Sequence, residues 1–298
     1  MQITEISKRL PPWFKSKHTA NARFAEVRRL IRTNNLHTVC SSAACPNRNE
    51  CWNAGTATFM ILGNICTRGC TFCNVPKGRP EGLDLEEPAR VADAVASLKL
   101  RYAVVTSVTR DDLADGGAGI FAETIRSIRS KAPECRIEVL VPDFLGSREA
   151  LRMVLNAGPD VLNHNVETVP SLYSAVRPQA DYRRSLQLLK TAKAYNILTK
   201  TGLMVGLGES ISEVYTVFGE LLEAGCDIFT IGQYLRPGKN HVSVEKYYHP
   251  DEFADLGAYA LSLGFSHVVA GPMVRSSYHA GEYGVIYNER GNVSDRTP

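Results

Sequence analysis

One short stretch of this chain constrains its fold and chemistry more than any other feature, because it carries three closely spaced cysteines. Cys66, Cys70 and Cys73 form a C-x3-C-x2-C pattern just after an apolar run over residues 57–62. An iron–sulfur cubane takes four thiolate ligands in most proteins. A loop that supplies three thiolates can hold three irons and leaves the fourth iron open to a substrate or cofactor. The spacing therefore predicts a cluster with one reactive corner.

Zinc is the main alternative for this loop. Cys70 and Cys73 have the two-residue spacing that is typical of zinc ligands, but a tetrahedral structural zinc site needs a matching second pair. The sequence contains no second C-x2-C pair. The pattern therefore favours a cluster, and it leaves zinc or unligated thiols as alternatives.

A second group of three cysteines lies shortly before the first. Cys40, Cys45 and Cys51 form a C-x4-C-x5-C pattern. A single four-thiolate cluster that drew on both groups would leave two of the six cysteines spare, so two clusters are the more economical interpretation. Cys135 and Cys226 have no cysteine near them in the sequence, and we expect them to be ordinary buried thiols.

Beyond residue 56 the chain alternates short apolar runs with helical patterns, which predicts an α/β fold around a parallel sheet. The predicted strands cover 57–64, 101–107, 136–141, 160–165, 199–205, 227–231 and 266–270. The predicted helices cover 87–98, 117–131, 147–156, 170–176, 182–195, 210–223 and 250–262. Six consecutive βα units favour an open or partial (β/α) barrel over a doubly wound sheet.

The chain has 298 residues and 44% hydrophobic content, which is enough for one large core. We expect an N-terminal extension over 1–56, a barrel over 57–265 and a C-terminal extension over 266–298. Residues 1–20 contain two adjacent prolines and little periodicity. We interpret them as an extended arm over the body.

The N-terminal extension is basic. Residues 1–56 hold nine Lys or Arg against three Asp or Glu. An amphipathic helix is predicted from Asn21, with Arg28, Arg29 and Arg32 away from its apolar face. This charge predicts docking to an acidic partner protein, and a merely solvated helix face is the alternative.

Charge and hydropathy also bear on partners and location. A net charge of +3 is too small to indicate nucleic acid as a partner. No apolar run reaches the roughly 18 residues of a membrane span, and the N-terminus has no signal-peptide pattern. We therefore expect a cytoplasmic protein whose cysteines stay reduced.

In barrels of this type the chemistry lies at the carboxyl ends of the strands. Polar or glycine-rich segments follow several predicted strands, and together they indicate a ligand site at one rim of the barrel. His164, within one of them, we expect to be a packed histidine. These segments contain Gly116 with Gly117, residues 163–167, residues 206–209 and residues 233–236.

The C-x3-C-x2-C loop after a first strand resembles that of radical S-adenosylmethionine enzymes. The additional Cys40, Cys45 and Cys51 set, together with the C-terminal run Arg275-Ser-Ser-Tyr278, is similar to the lipoyl synthase family. The resemblance extends from Trp13 to Tyr278. It is specific, because radical enzymes in general do not combine these two features.

The resemblance implies a partial (β/α)6 barrel of the radical SAM type and two [4Fe-4S] clusters. Cys66, Cys70 and Cys73 would hold the cluster that binds S-adenosylmethionine and, once reduced by an electron donor, cleaves it to a 5′-deoxyadenosyl radical. The radical would act on an octanoylated lipoyl carrier protein or domain. An auxiliary cluster would supply sulfur to C6 and C8 of the octanoyl chain, and its expected ligands are Cys40, Cys45, Cys51 and Ser277.

The resemblance also implies contacts to S-adenosylmethionine. The methionine amino group is expected near Gly116 and Gly117, the ribose near Asn165 and Glu167, and the adenine near Gly206, Gly208 and Glu209. Many radical enzymes have Gly-Gly-Glu in the glycine-rich segment, whereas Ala118 follows the two glycines here. We expect Asp115 or a backbone carbonyl to replace that acidic contact.

Two other functions stay open at this point. One is another radical enzyme that inserts sulfur, although the Arg275-Ser-Ser-Tyr278 run argues against it. The other is a non-catalytic iron–sulfur protein.

Overall fold

The computed structural model describes residues 10–14 and 19–281. One eight-stranded sheet runs through these residues, and its strands neighbour one another in the order of the chain. β1 is antiparallel to β2, and every later pair is parallel. The strands are β1 (His37–Thr38), β2 (Thr58–Ile61), β3 (Tyr102–Ser107), β4 (Arg136–Leu140), β5 (Val161–Asn163), β6 (Leu198–Val205), β7 (Ile228–Gln233) and β8 (His267–Gly271).

Helices alternate with the parallel strands, so β2 to β7 each begin a βα unit. The six units confirm the predicted α/β fold of the (β/α)6 type. β8 then adds one more parallel strand to the sheet. The helices are α1 (Ala22–Thr33), α2 (Val39–Ser42), α3 (Arg48–Asn53), α4 (Glu87–Ser97), α5 (Ala118–Lys131), α6 (Arg148–Asn156), α7 (Tyr173–Val176), α8 (Tyr182–Ala194), α9 (Ile211–Glu223) and α10 (Pro250–Leu263).

Local sequence explains where the helices begin. The Asn21 side chain accepts from the Phe24 amide at the start of α1. Ser210 and Glu213 form a reciprocal capping box at the start of α9. Such caps satisfy backbone amides that a first turn cannot pair. The helix predicted from Asn21 is therefore present.

The sheet is buried on both faces, as expected for parallel strands covered by helices. Every residue of β2 and of β7 is buried. A charged pair lies between the strands: Lys200 Nζ is 3.0 Å from both carboxylate oxygens of Glu138, and both side chains are fully buried. Side chains alternate along a strand, so this pair shares a face with Leu140 and Gly202, which line the cavity described below.

Some elements differ from the sequence-based expectation. β1, α2 and α3 were not predicted, and they give the second cysteine group an ordered helical scaffold. The strand predicted over 266–270 is present as β8, and the predicted domain boundary at residue 265 stays a prediction. Residues 1–9 and 15–18 of the predicted arm, and residues 282–298, lie outside the described residues. None of the helices in the described ranges has the length and apolarity that a bilayer crossing requires.

Candidate active site

One cavity of about 540 Å³ opens at the carboxyl ends of the parallel strands. Both cysteine groups line it, although they come from segments with different local folds. The C-terminal run also contributes Ser276 and Ser277. The cysteines that line the cavity are Cys40, Cys45, Cys51, Cys66, Cys70 and Cys73.

The loop that carries Cys66 closes on itself. The Cys66 amide donates to the Pro76 carbonyl at 2.8 Å, and the Gly78 amide donates to the Cys66 carbonyl at 3.0 Å. These bonds give Cys66 a fixed position at the base of the loop. The Thr109 amide lies 3.4 Å from Cys66 Sγ, within reach of a weak N–H···S hydrogen bond.

Arg68 attaches this loop to the neighbouring strand ends. Its guanidinium donates to both carboxylate oxygens of Asp111, at 2.6 and 2.9 Å. It also donates to Asp143 Oδ1 at 2.6 Å. The Thr67 amide donates to the Thr109 carbonyl in the same region. The loop is therefore held from the β3 and β4 sides.

The second half of the cysteine loop, which contains Cys70 and Cys73, is held by other parts of the chain. The Thr71 amide donates to the Val176 carbonyl, and the Val242 amide donates to the Thr71 carbonyl. His241 Nε2 lies 3.2 Å from the Cys73 carbonyl oxygen. Cys70 and Cys73 are thus positioned by segments that follow β5 and β7.

The second cysteine group is built on two short helices. Cys40 lies in α2, whose first turn is capped by Thr38, and Cys51 lies in α3. The Cys45 amide donates to the Cys40 carbonyl. This bond turns the chain between the helices so that all three thiols border the cavity.

Burial keeps the Cys51 and Cys73 thiols protonated when no metal is bound. It raises the pKa of Cys73 to about 12, and it raises the pKa of Cys51 to about 12 with help from the neighbouring thiols Cys40 and Cys45. All eight cysteines are free of disulfides. Iron binding requires thiolates and so must displace these protons. Within the described ranges, no group of three or more His, Cys, Asp or Glu side chains is arranged so that it could hold a single metal ion.

A polar wall of Asn165, Glu167 and Arg177 lines the same cavity as the cysteines. Arg177 donates through Nη1 to the Asn165 carbonyl at 3.0 Å, and Asn165 Nδ2 donates to Glu167 Oε1 at 3.1 Å. Arg177 Nε and Asn165 Oδ1 are buried and have no protein partner among the described residues. Burial raises the pKa of Glu167, and its backbone is left-handed, with φ of 66°. The wall therefore offers an unused donor and an unused acceptor to a polar ligand.

Comparisons with known proteins agree with this arrangement. The family model of the Radical SAM superfamily matches residues 60–221. A lipoyl synthase of Rubrobacter xylanophilus is 57% identical over 274 residues, which cover 91% of this chain and 85% of the relative. This chain belongs to the lipoyl synthase family. A second member, from Koribacter versatilis, is 56% identical over 274 residues, which cover 91% and 90% of the two chains.

Solved structures support the fold alone. Methylornithine synthase has a TM-score of 0.51 at 14% identity, covering 82% of this chain and 81% of that one. A maturase of the [FeFe]-hydrogenase has a TM-score of 0.55 at 16% identity, covering 75% and 58%. The lipoyl synthase relatives and the family model confirm the family membership predicted from the two cysteine groups and the C-terminal run. As a lipoyl synthase family member with a radical SAM domain, the chain is a sulfur-inserting enzyme that uses S-adenosylmethionine and a [4Fe-4S] cluster.

Two of the S-adenosylmethionine contacts expected in this family do not border the cavity. Gly116 lines a separate hollow of about 310 Å³. Gly117 has φ of 88°, and its amide donates to Asp115 Oδ1, so the pair forms the turn into α5. Asp115 or a backbone carbonyl was expected to replace the missing glutamate, and this stays a prediction. In the structure Asp115 accepts from the Gly117 and Gly119 amides.

The three contacts expected near adenine also lie outside the described cavity lining. Glu209 accepts from the amides of Gly206 and Leu207 and from the Tyr248 hydroxyl. A Cβ on Gly206 would lie 2.4 Å from the Lys246 carbonyl oxygen, so close backbone packing requires glycine there. Gly206, Gly208 and Glu209 shape the loop after β6, and a contact between them and adenine stays a prediction.

Sequence reasoning missed some cavity residues and described others well. Arg177 gave no motif signal, because nothing local shows that its segment folds back beneath the cysteine loop. His164 is packed, as expected: its ring nitrogens lie 2.8 Å from the Val141 carbonyl and 2.9 Å from Ser185 Oγ, and burial lowers its pKa to about 4. Cys135 and Cys226 are buried thiols.

Proposed function

We propose that this chain inserts two sulfur atoms, at C6 and C8, into an octanoyl group on a lysine of a lipoyl carrier protein. The observation that carries the proposal is the single cavity that both cysteine groups and Ser277 line. One cavity allows the octanoyl chain to meet the radical and the sulfur donor without leaving the protein. Apolar side chains such as Met60, Val108 and Met204 also line it and suit a hydrocarbon chain.

In this proposal Cys66, Cys70 and Cys73 hold the radical SAM cluster. When bound, the cluster supplies the electron that cleaves S-adenosylmethionine to methionine and the radical that removes hydrogen from the octanoyl chain. The protein binds and orients these groups. Among the described residues, Asn165 and Arg177 have unpaired buried atoms that suit the polar groups of S-adenosylmethionine.

The sulfur donor is the second [4Fe-4S] cluster, which is consumed and is therefore a substrate. Its proposed ligands are Cys40, Cys45, Cys51 and Ser277. Serine oxygen is a harder donor than thiolate, so its bond to iron is expected to be the weakest of the four. A weak fourth ligand suits a cluster that must lose iron to release sulfur.

The partners follow from the same chemistry. The substrate is an octanoylated lipoyl carrier protein or domain, and an electron donor must reduce the cluster for each cleavage. We further propose that the chain acts in the cytoplasm, because cysteines that must all bind iron need a reducing compartment.

The experiment is an anaerobic reaction of the iron-loaded chain with an octanoylated carrier domain, S-adenosylmethionine and a reductant. Mass spectrometry of the carrier should show a gain of two sulfur atoms, with two 5′-deoxyadenosine molecules formed per lipoyl group. The matched control is the same carrier without its octanoyl group, which should gain no sulfur. S-adenosylmethionine cleavage with an unchanged octanoyl carrier would refute the proposed activity.

A further inference from the structure

The C-terminal segment 273–279, which contains Ser277, is attached to the helix that carries an auxiliary cysteine. Glu50 lies in α3, directly before Cys51. Its Oε1 accepts from the Tyr278 hydroxyl at 2.9 Å and lies 3.1 Å from His279 Nε2. These contacts join residues more than 220 positions apart in the chain. They fix one end of the segment beside the auxiliary cysteines.

The other end of the segment is attached to the same part of the chain. Asn47, the residue just before α3, donates from Nδ2 to the Met273 carbonyl at 2.6 Å. Asn47 is only 3% exposed, so water competes little for this bond. Ser277 lies between the two attachment points. Asn165 Nδ2, on the polar wall, adds a contact 3.2 Å from Ser276 Oγ.

The segment's own backbone bonds are short-range turns. Val274 donates to the Gly271 carbonyl, Tyr278 to Arg275, and Ala280 to Ser277. Turns of this kind do not fix where the segment lies relative to α3. The side-chain contacts of Asn47 and Glu50 provide that long-range attachment.

We propose that Glu50 and Asn47 are positioning residues that hold the C-terminal segment on α3 before any iron binds. Ser277 then already lies at the cavity that Cys40, Cys45 and Cys51 line, so cluster assembly does not have to order a free segment. This inference rests on the proposed function in one respect, namely that Ser277 is a ligand of the auxiliary cluster. The attachment itself can be tested in the cluster-free chain, independently of that role.

The first test is hydrogen–deuterium exchange of the reduced, cluster-free full chain, followed in peptides that cover 272–281. Glu50→Ala should raise exchange of these amides about tenfold, since a bond to a charged acceptor is lost. Glu50→Gln keeps an acceptor oxygen and should restore slow exchange. Tyr278→Phe should raise the exchange rate of these amides as much as Glu50→Ala does. Combining Tyr278→Phe with Glu50→Ala should raise it little further. Asn47→Ala should raise exchange near residue 273.

Glu223→Ala is the matched control, because Glu223 is an exposed glutamate in the last turn of α9. It should exchange like the wild type. Unchanged exchange of 272–281 in Glu50→Ala would overturn the proposed attachment, whatever the function of the chain.

The second test reads the auxiliary cluster alone, in a chain with Cys66, Cys70 and Cys73 all replaced by alanine. After anaerobic reconstitution, Glu50→Ala and Ser277→Ala should change the Mössbauer spectrum of this triple-alanine chain in the same way. Glu50→Gln should leave that spectrum unchanged. A wild-type spectrum in Glu50→Ala, beside an altered one in Ser277→Ala, would overturn the positioning role. An unaltered spectrum in Ser277→Ala would instead refute Ser277 as a ligand and leave the attachment intact.

Discussion

Arg68 Nη2 lies 2.6 Å from Asp143 Oδ1, and the two side chains are 3% and 1% exposed. Arg68 stands between Cys66 and Cys70 in the loop, whereas Asp143 follows β4. The pair therefore ties the cysteine loop to a neighbouring strand end in the protein interior. Asp111 and Arg184 extend the network on either side, because Asp111 pairs with Arg68 and Arg184 pairs with Asp143.

We expect Asp143→Asn to destabilise the cluster-free chain by about 3–5 kcal/mol, because removing one partner leaves a buried charge without full compensation. Urea unfolding in reducing buffer measures this free energy. Arg126→Met is the matched control, since Arg126 pairs with Glu123 on the surface and such pairs contribute about 0–1 kcal/mol. Equal small losses in both variants would show that the buried network does not stabilise the loop.

The same network predicts a dependence on pH. Burial alone would raise the pKa of Asp143, but the hydrogen bonds and charge of Arg68 outweigh it and hold that pKa below its usual value. A carboxyl with a lowered pKa in the folded state stabilises the fold above about pH 4 and loses that effect as the pH falls through the folded value. The stability difference between wild type and Asp143→Asn should therefore shrink on acidification. A difference that stays constant from neutral pH into this acid range would contradict the assignment.

The two cysteine groups should be separable by mutation. Cys66→Ala, Cys70→Ala or Cys73→Ala should abolish formation of 5′-deoxyadenosine, because the radical SAM cluster loses a ligand. Quantitative chromatography of 5′-deoxyadenosine and of the carrier product measures both steps.

Cys40→Ala, Cys51→Ala and Ser277→Ala should keep S-adenosylmethionine cleavage and lose most of the lipoyl product. Cys135→Ala is the control thiol, and it should behave like the wild type in both steps. A Cys40→Ala chain that still made lipoyl product would show that this group does not hold the sulfur donor.

The basic face of α1 should guide the carrier. Arg28, Arg29 and Arg32 are exposed in the structure, and their charge can attract an acidic domain over about a Debye length. Reversal of all three to glutamate should raise KM for the carrier protein several-fold at low salt, and by less at high salt. Turnover of a short octanoyl-lysine peptide should stay nearly unchanged. Equal damage with both substrates would indicate a folding defect rather than lost steering.

The sequence predicted much of the fold, because the apolar periodicity of parallel strands and their covering helices is local. The helix from Asn21 was visible for the same reason. By contrast, β1 has only two residues and depends on its partner β2, so no local pattern could reveal it. α2 and α3 are too short to show a clear period.

The site was predictable where residue type and spacing define the chemistry, as they do for the six cysteines. The roles of Arg68, Arg177 and Glu50 depend on partners far along the chain, so no local pattern could reveal them. Gly116 was expected near S-adenosylmethionine because of the family resemblance. In the structure it has φ of 61° and lies in the turn before α5. Residue type alone does not separate a turn glycine from a cofactor glycine, so this contact stays a prediction.

In the proposed reaction, both sulfur atoms of the product come from a cluster that this chain carries. The most direct measurement is a single turnover of chain reconstituted with isotopically heavy sulfide, desalted, and mixed with octanoylated carrier, S-adenosylmethionine and reductant in a buffer containing unlabelled sulfide. Mass spectrometry of the carrier should then find two heavy sulfur atoms in each lipoyl group. Product that carries only unlabelled sulfur would contradict a cluster donor, because the sulfur would then come from solution rather than from the chain.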